Sequence, residues 1–495
     1  MKLSELAAGV GIQAHGGVDA EVLGITYDSR RTRAGDLFCA IPGFRTDGHR
    51  YVEDARRRGA VACLVERADA VPAGMPYLQV PSARVSTARV AAHFFGCPSR
   101  NLWMVGVTGT NGKTTTTHLI RTILEQAASL PTGLMGTVHT VMGSNEWHED
   151  RTTPEAPDLQ ATLRQMADFG MRAVAMEVSS HALALHRVDQ VHYDVGVFTN
   201  LTQDHLDFHR DFEDYFSAKA QLFERLGEGP AKGPRAAILN ADDAWAGRLV
   251  GYTRMPILTY GIAQRADVRA VDVRIDRFGA DFTVILPDGS ETPVHLRLSG
   301  RYNVSNALAA LAVGHLQNLS GPAMAAALAQ QAGVAGRFEL IDCGQPFGVV
   351  VDYAHTPDGM ENVLKAIREF ARGRVILVFG AGGDRDQGKR PQMGEVAGRL
   401  TDLFVVTTDN PRGEDPADIA GQVEEGVRAV GGQYVREMDR RLAIRHAFSA
   451  ARPDDLVLIA GKGHENYQIY RDHTEYFDDR EEARAALRER GFSCP

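Results

Sequence analysis

The most informative segment of the chain reads Gly106-Val-Thr-Gly-Thr-Asn-Gly-Lys-Thr-Thr115. An apolar, strand-like run (residues 102–107) leads into it, and a helical pattern (residues 116–130) follows it. Glycines permit turns that point backbone N–H groups at phosphate oxygens, and the N-terminus of the following helix adds positive potential. The segment therefore predicts a phosphate-binding loop between a strand and a helix.

The spacing of this loop is G-x-x-G-x-x-G-K-T, which differs from the common G-x-x-x-x-G-K-[ST] because position 107 is a valine. We expect Lys113 to reach the terminal phosphates of a nucleotide and the Thr114 hydroxyl to bind Mg²⁺. The predicted nucleotide-binding residues are consecutive in the sequence: Gly109, Thr110, Asn111, Gly112, Lys113, Thr114 and Thr115.

The bulk composition is that of a globular protein with several domains. A chain of 495 residues suits three domains of roughly 100–200 residues each. A formal net charge of -9 argues against a broad electrostatic footprint on nucleic acid or on an anionic membrane. No stretch approaches the ~20 apolar residues that a membrane helix needs. We therefore expect a cytoplasmic protein, monomeric, that acts on small molecules.

The five cysteines give no sign of a covalent or zinc-bound framework. They are scattered, odd in number and without a C-x-x-C spacing: Cys39, Cys63, Cys97, Cys343 and Cys494. This usage fits a reducing cytoplasm and argues against a disulfide framework or a zinc site.

Strand-like and helical runs alternate along almost the whole chain, which predicts an α/β fold. Turn-like residues 97–100 and glycine-rich residues 333–336, after an alanine-rich helical region (303–331), divide the chain. We predict a small N-terminal α/β domain (1–98), a central P-loop domain with a mainly parallel sheet (99–335) and a C-terminal Rossmann-like α/β domain (336–495). Four apolar runs of the last domain end in Gly, Asp or Asn, where parallel strands usually carry ligand groups.

Two more strand-like runs, 173–176 and 195–198, lead into polar side chains. Glu177 follows the first run directly, and Asn200 to His205 follow the second. A carboxylate and an imidazole at one sheet edge suit a Mg²⁺ ion that bridges phosphates and an oxyanion. Taken alone, either side chain fits a capping or core polar role, but beside the phosphate loop we favour metal binding. We interpret His209 as a surface residue.

Six segments together resemble the Mur ligases, a family of three-domain ATP-dependent ligases. In chain order they are Gly109-Thr-Asn-Gly-Lys-Thr-Thr115, Glu177-Val-Ser-Ser-His-Ala-Leu183, Asn200-Leu-Thr-Gln-Asp-His205, Tyr302-Asn-Val-Ser-Asn306, Gly336-Arg-Phe-Glu339 and Asp352-Tyr-Ala-His-Thr-Pro357. The loop variant alone is shared with folylpolyglutamate synthetases and indicates only the wider superfamily. The remaining segments resemble members that act on UDP-N-acetylmuramoyl-L-alanyl-D-glutamate.

The resemblance implies a two-step ligation in peptidoglycan precursor synthesis. ATP would phosphorylate the D-glutamate side-chain carboxylate, and the amine of meso-diaminopimelate would then displace phosphate from the acyl phosphate. Lys113, Lys219, Glu177 and His205 would be the catalytic residues. Further ATP contacts would come from Asn306, Arg337, Asp352 and His355. The Mg²⁺ ligands would be Thr114, Glu177, His205 and a carbamylated Lys219.

Lys219 lies in an amphipathic pattern, Tyr215-Phe-Ser-Ala-Lys-Ala-Gln-Leu-Phe223. A solvated lysine is the general interpretation of such a pattern. The resemblance implies instead that CO₂ carbamylates this lysine and that the carbamate helps to bind Mg²⁺. Only the neutral amine attacks CO₂, and apolar flanks lower the pKa of a lysine by desolvation.

The same resemblance places the UDP-linked substrate. Its UDP-sugar would contact Ser29, Phe44, Arg45 and Thr46, and its muramoyl dipeptide would contact Thr152, Thr153, Ser179 and Arg187. The two threonines fit a helix N-cap before Asp158 equally well. Where some members carry a polar Gln, this chain has Leu185, which puts one substrate hydrogen bond in doubt.

The amino acid that is added would bind in the C-terminal domain. Asp409-Asn-Pro-Arg412 is a turn signal on any interpretation, and it resembles the type that adds diaminopimelate. There the arginine binds the distal carboxylate, which lysine lacks. The expected pocket residues are Arg385, Asp409, Asn410, Pro411, Arg412, Gly461 and Glu465, with the glutamate on the distal ammonium. A lysine-adding member, a folylpolyglutamate synthetase-like ligase and a regulatory ATP-binding protein without turnover are the alternatives.

Overall fold

The computed structural model describes residues 1–17, 19–44, 46–147, 151–331 and 333–494. These residues form sheets of five, eleven and six strands in chain order, each flanked by helices, and one further two-stranded pair. The expected α/β fold class is therefore confirmed. The three sheets lie within residues 14–79, 103–296 and 339–460. The domain limits 1–98, 99–335 and 336–495 remain predictions.

The N-terminal sheet is small and mainly parallel. Its strands are β1 (Ala14–His15), β2 (Gly24–Thr26), β3 (Asp36–Cys39), β4 (Ala62–Val65) and β5 (Tyr77–Gln79), in the order β1-β5-β4-β3-β2. Three helices accompany it: α1 (Leu3–Val10), α2 (Val52–Arg57) and α3 (Ala83–Phe94). The last of these begins where the Ser82 Oγ accepts a hydrogen bond from the Val85 N–H, which satisfies one free donor of the first turn.

The central sheet has parallel strands in its middle and antiparallel strands at both edges. Its strands are β6 (Trp103–Thr108), β7 (Thr132–Met135), β8 (Thr140–Met142), β9 (Asn145–Trp147), β10 (Ala173–Glu177), β11 (Val195–Phe198), β12 (Ala236–Asn240), β13 (Ile257–Gly261), β14 (Val268–Asp276), β15 (Gly279–Ile285) and β16 (Glu291–Leu296). Their order is β16-β15-β14-β13-β12-β11-β6-β10-β7-β8-β9. Strand β6 therefore lies between β11 and β10, and all six of its residues are buried.

Helices cover both faces of the central sheet. They are α4 (Lys113–Ala128), α5 (Ala156–Asp168), α6 (Ser180–Ala184), α7 (Phe212–Glu224), α8 (Ala246–Leu249), α9 (Arg301–Leu316) and α10 (Gly321–Gln330). Side chains of α4, α9 and α10 form one apolar layer, and those of α5, α6 and α7 form the other. Because both faces are covered, the parallel strands are apolar along their whole length. The helical region that the sequence predicts at 303–331 consists of two helices, α9 and α10, which residues 317–320 separate.

The C-terminal sheet is also covered on both faces. Its strands are β17 (Glu339–Leu340), β18 (Gly348–Asp352), β19 (Val375–Phe379), β20 (Leu403–Val406), β21 (Tyr434–Arg436) and β22 (Leu456–Ala460), in the order β17-β18-β22-β19-β20-β21. The separate pair is β23 (Tyr467–Ile469) with β24 (Thr474–Tyr476). The helices are α11 (Pro357–Phe370), α12 (Lys389–Leu400), α13 (Pro416–Ala429), α14 (Arg440–Ala450) and α15 (Asp479–Glu489).

The strand register brings the polar loops together. In the central sheet, Glu177 pairs with Val107, and Phe198 pairs with Thr108. In the C-terminal sheet, Asp352 and Phe379 both pair with Ala460. The loops that follow these parallel strands therefore leave each sheet at a single edge, which is where open α/β sheets bind ligands.

One cysteine expectation was wrong. The Sγ atoms of Cys343 and Cys494 are bonded, although 151 residues separate them in the sequence. Cys343 precedes β18, and the residues after α15 return to the same apolar layer. Spacing along a chain does not reveal such a return. Among the described residues, no helix combines the length and apolar character that crossing a bilayer requires.

Candidate functional site

A cleft of about 400 Å³ lies between the central and C-terminal sheets. The central side contributes Thr152, Thr153, Ser179, Arg187 and His205, which are predicted dipeptide and metal residues. The C-terminal side contributes His355, Arg385, Asp409, Asn410, Arg412, Gly461 and Glu465. Two predicted groups from opposite domains therefore line one cavity. Pro411, Ser29, Phe44 and Thr46 do not line it, and Arg45 lies outside the described residues.

The predicted phosphate loop connects β6 to α4, and Lys113 is the first residue of that helix. The Lys113 Nζ donates to the carbonyl oxygens of Gly109 (2.9 Å) and Thr110 (2.8 Å). Burial lowers the pKa of Lys113. Gly109 has φ +150°, and a Cβ there would lie 1.9 Å from the Thr199 Oγ1. Only glycine therefore fits at this turn.

Neighbouring elements hold the loop in place. The Asn200 backbone oxygen accepts from the Thr110 N–H (2.9 Å), and its side-chain Oδ1 accepts from the Asn111 N–H (2.8 Å). Asn306 on α9 approaches so closely that a Cβ at Gly112 would lie 2.4 Å from its Oδ1. The predicted ATP residue Asn306 thus lies directly beside the loop. Thr115, the last predicted loop residue, is buried within α4.

Lys219 is not a solvated lysine. It is 1% exposed on α7, and its Nζ donates to the Gly109 carbonyl oxygen at 2.8 Å. The ammonium also lies 4.4 Å from the centre of the Tyr215 ring. Burial, with the charge of Lys113 nearby, holds the pKa of Lys219 well below its ordinary value. The side chain therefore lies beside the phosphate loop with a raised fraction of neutral amine.

Glu177 and His205 take up the positions that the strand ends predict. Glu177 is fully buried, and its two carboxylate oxygens accept from the Thr137 N–H (2.7 Å) and hydroxyl (3.1 Å). The His205 Nε2 lies 3.4 Å from the Asp204 Oδ2. Burial lowers the pKa of His205 to about 3, so the ring is neutral and can act as a ligand.

The expectation that His209 lies on the surface was wrong. It is 2% exposed, its Nε2 lies 2.9 Å from the Ser180 Oγ, and its Nδ1 lies 3.3 Å from the Asp214 Oδ2. Helices α6 and α7 enclose the ring, a contact that sequence spacing does not show.

Of the three predicted ATP residues in the C-terminal domain, Arg337 contacts the phosphate loop. Asp352 and His355 lie close enough to Arg337 to feel its charge. The Arg337 Nη2 donates to the Thr114 Oγ1 at 3.0 Å, and its guanidinium lies over the Tyr353 ring. The carboxylate of Asp352 accepts from the backbone N–H groups of Phe338 (2.7 Å) and Ala354 (2.8 Å). Burial raises the pKa of Asp352 and lowers that of His355 to about 4.

Sequence reasoning missed two residues that join the domains. The Asp358 Oδ2 accepts from the Asn111 Nδ2 (2.7 Å) and from the Thr202 Oγ1 (3.2 Å). The Lys389 Nζ lies 3.6 Å from the Asp204 Oδ1. Asp358 is in the first turn of α11 after a Thr356 cap, so the Thr-Pro-Asp helix start was an available signal. Nothing in the sequence pattern pointed to the partner of Lys389.

The predicted amino-acid residues converge around two opposite charges. The Asn410 Nδ2 donates to the Glu465 Oε2 at 2.8 Å, and the buried Lys462, also missed, lies 3.3 Å from the same oxygen. The Arg412 Nη1 donates to the Gly383 carbonyl oxygen at 2.8 Å. Partial desolvation and the nearby charge of Arg412 lower the pKa of Arg385, although its side chain still reaches solvent. One wall thus carries two guanidiniums, and the other carries the Glu465 carboxylate paired with Lys462.

The backbone at position 461 accepts only glycine. Its φ is +109°, and a Cβ there would lie 2.8 Å from the Asp409 Oδ2. Gly461 follows β22 directly and lies four positions before Glu465 in the loop that leads to β23. The predicted residues Asp409 and Gly461 therefore shape the pocket by close backbone approach.

The predicted dipeptide residues form a hydrogen-bonded group at the end of β10. The Thr153 hydroxyl donates to the Glu177 carbonyl oxygen at 2.9 Å and lies 3.3 Å from the Ser179 Oγ. The Arg187 Nη1 donates to the Thr153 carbonyl oxygen at 3.2 Å. Helix α5 has Glu155 as its N-cap, with no side-chain cap bond. The alternative that the two threonines cap this helix was therefore wrong.

The predicted UDP-sugar residues lie in the N-terminal domain, beside the central one. Ser29 is buried and begins a short 3₁₀ turn. The Phe44 side chain is exposed, and its ring lies 5.6 Å, centre to centre, from that of Phe208. The Thr46 Oγ1 lies 3.1 Å from the Tyr51 hydroxyl.

Comparison with known proteins accounts for all three domains. Residues 107–314 match the Mur ligase middle domain, residues 336–463 the "Mur ligase, glutamate ligase domain" and residues 21–96 the "Mur ligase family, catalytic domain". The chain is 46% identical, over 506 aligned positions and 99% of both chains, to the "UDP-N-acetylmuramoyl-L-alanyl-D-glutamate--2,6-diaminopimelate ligase" of Geobacter metallireducens. The chain belongs to the Mur ligase family.

Two further Mur ligases extend the likeness. A relative with the same name from Geobacillus thermodenitrificans is 46% identical over 99% of this chain and 100% of its own. A solved structure, again of a "UDP-N-acetylmuramoyl-L-alanyl-D-glutamate--2,6-diaminopimelate ligase", is 31% identical and has a TM-score of 0.68 over the whole of both chains. The family resemblance, the three-part Mur ligase architecture and the assignment as a ligase are therefore confirmed.

Proposed function

We propose that this chain is an ATP-dependent ligase of peptidoglycan precursor synthesis that adds meso-diaminopimelate to UDP-N-acetylmuramoyl-L-alanyl-D-glutamate. The observation that carries the proposal is that Thr153 and Arg187 line one side of a cleft whose other side is lined by Arg412 and Glu465. The names of full-length relatives at 42–46% identity support the same reaction.

The first step transfers the γ-phosphoryl group of ATP to the D-glutamate side-chain carboxylate. A carboxylate oxygen attacks phosphorus, the bond to the β,γ-bridging oxygen breaks, and ADP leaves. Lys113 lies at the N-terminus of α4, where its ammonium and the backbone N–H groups stabilise the charge on the transferring group. Arg337 adds a second cation from the C-terminal domain through its bond to Thr114.

The second step forms the amide. The neutral amine of diaminopimelate attacks the acyl carbon, and phosphate then leaves the tetrahedral intermediate while the nitrogen loses a proton. No protein nucleophile takes part, so none of the cysteines is required. Asp358 and Lys389 connect the two domains beside the cleft, and closure of these domains would limit access of the water that hydrolyses an acyl phosphate.

The donor set around the loop fits Mg²⁺. Thr114 offers a hydroxyl, Glu177 a carboxylate and His205 a neutral imidazole, and a carbamate on Lys219 would add oxygen. Within the described residues no three His, Cys, Asp or Glu side chains gather into a metal-binding group. Bound at this loop, Mg²⁺ would neutralise charge on the phosphates.

The charges in the C-terminal pocket favour diaminopimelate over lysine. Arg385 and Arg412 face the distal carboxylate, and Glu465 faces the distal ammonium. Lysine would leave both guanidiniums without a carboxylate partner. A site built to pair a charge of its substrate discriminates strongly against an analogue that lacks that charge. We further propose that the protein acts as a cytoplasmic monomer on these small molecules, with neither nucleic acid nor membrane as a partner.

One assay tests the proposal. Purified protein with ATP, Mg²⁺ and the UDP-muramoyl dipeptide should release phosphate with meso-diaminopimelate, far less with L-lysine and none with folate substrates. A Lys113→Ala variant should lose the activity. Equal rates with lysine would refute the specificity, and a protein that bound ATP without turnover would refute the enzymatic role.

A further inference from the structure

Three arginines converge on one buried carboxylate at the boundary between the N-terminal and central domains. Glu155 lies 3.0 Å from the Arg187 Nη2 and also pairs with the Arg151 Nη1. Its other oxygen lies 3.9 Å from the Arg84 Nη1. The carboxylate Glu66, near Arg84, already accepts from the Ala83 N–H at 2.8 Å. Among the described side chains of this cluster, the three arginines outnumber the carboxylates of Glu155 and Glu66.

The cluster retains capacity to bind an anion. Within the described part of the chain, the buried Arg187 Nε has no hydrogen-bond partner. Burial lowers the pKa of both Arg84 and Arg187, and the neighbouring arginine charges lower it further against the opposing effect of Glu155. Mutual repulsion of this kind is relieved when a ligand supplies negative charge.

Arg84 occupies a particular place in this cluster. It lies on α3 of the N-terminal domain, and its Nη2 donates to the Pro42 carbonyl oxygen at 3.2 Å. Pro42 directly precedes residues 43–46, the predicted UDP-sugar segment. Through Glu155, the same guanidinium adjoins Arg187, a predicted dipeptide residue. Arg84 thus lies between the uridine end and the dipeptide end of the proposed site.

The substrate has its strongest anion at the matching position. In a UDP-linked muramoyl dipeptide, the diphosphate joins the uridine to the sugar that carries the peptide. A planar guanidinium donates two parallel hydrogen bonds to two phosphate oxygens. We propose that Arg84 binds the diphosphate of the UDP-linked substrate and connects its two subsites. This inference rests on the proposed function, since that function supplies the nucleotide-linked substrate.

The test compares Arg84→Gln and Arg84→Lys with Arg89→Gln, a control on the exposed face of the same helix. We expect Arg84→Gln to raise KM for the UDP-muramoyl dipeptide by about tenfold or more, as loss of a charge-assisted hydrogen bond does. The inhibition constant of free UDP should rise in parallel. Arg84→Lys should be intermediate, because it keeps the charge and loses the fork. KM for ATP, kcat and the control should stay within about twofold.

Two further readouts separate diphosphate binding from a structural role. The inhibition constant of muramoyl dipeptide without UDP should be the same in Arg84→Gln and the parent, and the unfolding temperatures should be similar. Equal weakening of both inhibitors would overturn the inference, because it would mean that Arg84 only positions Glu155 and Arg187. Unchanged UDP inhibition would also overturn it. Calorimetric titration with UDP alone tests Arg84 even if the ligation assay fails, so the two failures are distinguishable.

Discussion

At the scale of single residues, the environment of Lys219 decides its chemistry. Its Nζ lies 2.8 Å from the Gly109 carbonyl oxygen, which also accepts from Lys113. Burial and the second ammonium both disfavour a proton on Lys219. The neutral amine is the form that reacts with CO₂ to give a carbamate. Carbamylation of Lys219 therefore remains a prediction that its surroundings favour.

Removal of CO₂ should therefore lower activity reversibly. In degassed, bicarbonate-free buffer we expect at least about a tenfold fall in ligation rate, since a missing metal ligand costs transition-state stabilisation. Added bicarbonate should restore the rate, and Lys219→Met should be inactive under both conditions. Full activity without CO₂, with an unmodified lysine by mass spectrometry, would contradict the prediction.

The lowered pKa also predicts a pH dependence of stability. In the unfolded chain Lys219 has an ordinary pKa of about 10.4, whereas its pKa in the folded chain is lower. At a pH between these two values, Lys219 carries a proton in the unfolded chain and has lost it in the folded one. The free energy of unfolding should then rise with pH in that window. In CO₂-free denaturant titrations, Lys219→Met should remove the part of this slope that comes from Lys219. The part that comes from the buried Lys113, whose pKa is also lowered, should remain. Lys365→Met, at an exposed lysine of α11, should leave the slope unchanged.

Arg412 should determine which amino acid is accepted. Arg412→Ala removes a cation from the proposed carboxylate side, and we expect KM for meso-diaminopimelate to rise by about 10- to 100-fold. The preference for meso-diaminopimelate over L-lysine should fall as well. Steady-state rates with each amine measure both effects, with Arg399→Ala on the exposed face of α12 as the control. Unaltered selectivity would place the carboxylate elsewhere.

At the scale of elements, a buried ion pair joins α14 to α15. The guanidinium of Arg440 donates to both Asp479 oxygens at 2.7 Å, and both side chains are fully buried. Arg440 also donates to the Ala460 carbonyl oxygen at the end of β22 (2.9 Å). The pair therefore holds two helices and the strand that leads to Gly461 in one arrangement.

Breaking this pair should destabilise the C-terminal domain. Arg440→Met leaves the Asp479 carboxylate buried without its counter-ion, which should cost about 3–5 kcal/mol in the free energy of unfolding. Arg445→Met, which breaks the exposed pair with Glu489 on the same two helices, should cost about 1 kcal/mol or less. Equilibrium denaturation of both variants measures the difference, and similar losses would contradict it.

At the scale of the whole molecule, the site exists only where domains meet. Arg337 and Asp358 contact the phosphate loop from the C-terminal domain, and Lys389 contacts Asp204. On the other side, the Tyr27 hydroxyl of the N-terminal domain donates to the Asp158 Oδ2 at 2.6 Å. A few polar contacts of this kind permit domains to separate and close around ligands.

Asp358→Ala should shift the molecule toward an open arrangement. The variant loses hydrogen bonds to Asn111 and Thr202, worth about 1–3 kcal/mol together because the acceptor is charged. We expect a larger radius of gyration by small-angle scattering without ligands, and a lower kcat. Lys365→Ala on the same helix is the control. An unchanged radius of gyration would show that these bonds do not set the domain orientation.

The sequence by itself determined the α/β class, the phosphate loop and the ends of the strands that carry Glu177, Asp352 and Asp409. These follow from local patterns, because glycine conformation, strand periodicity and polar residues after apolar runs are encoded within a few positions. It did not reveal the buried His209, the Cys343–Cys494 bond or the cross-domain contacts of Asp358 and Lys389. Those depend on distant segments meeting in space, and only tertiary packing fixes such pairs.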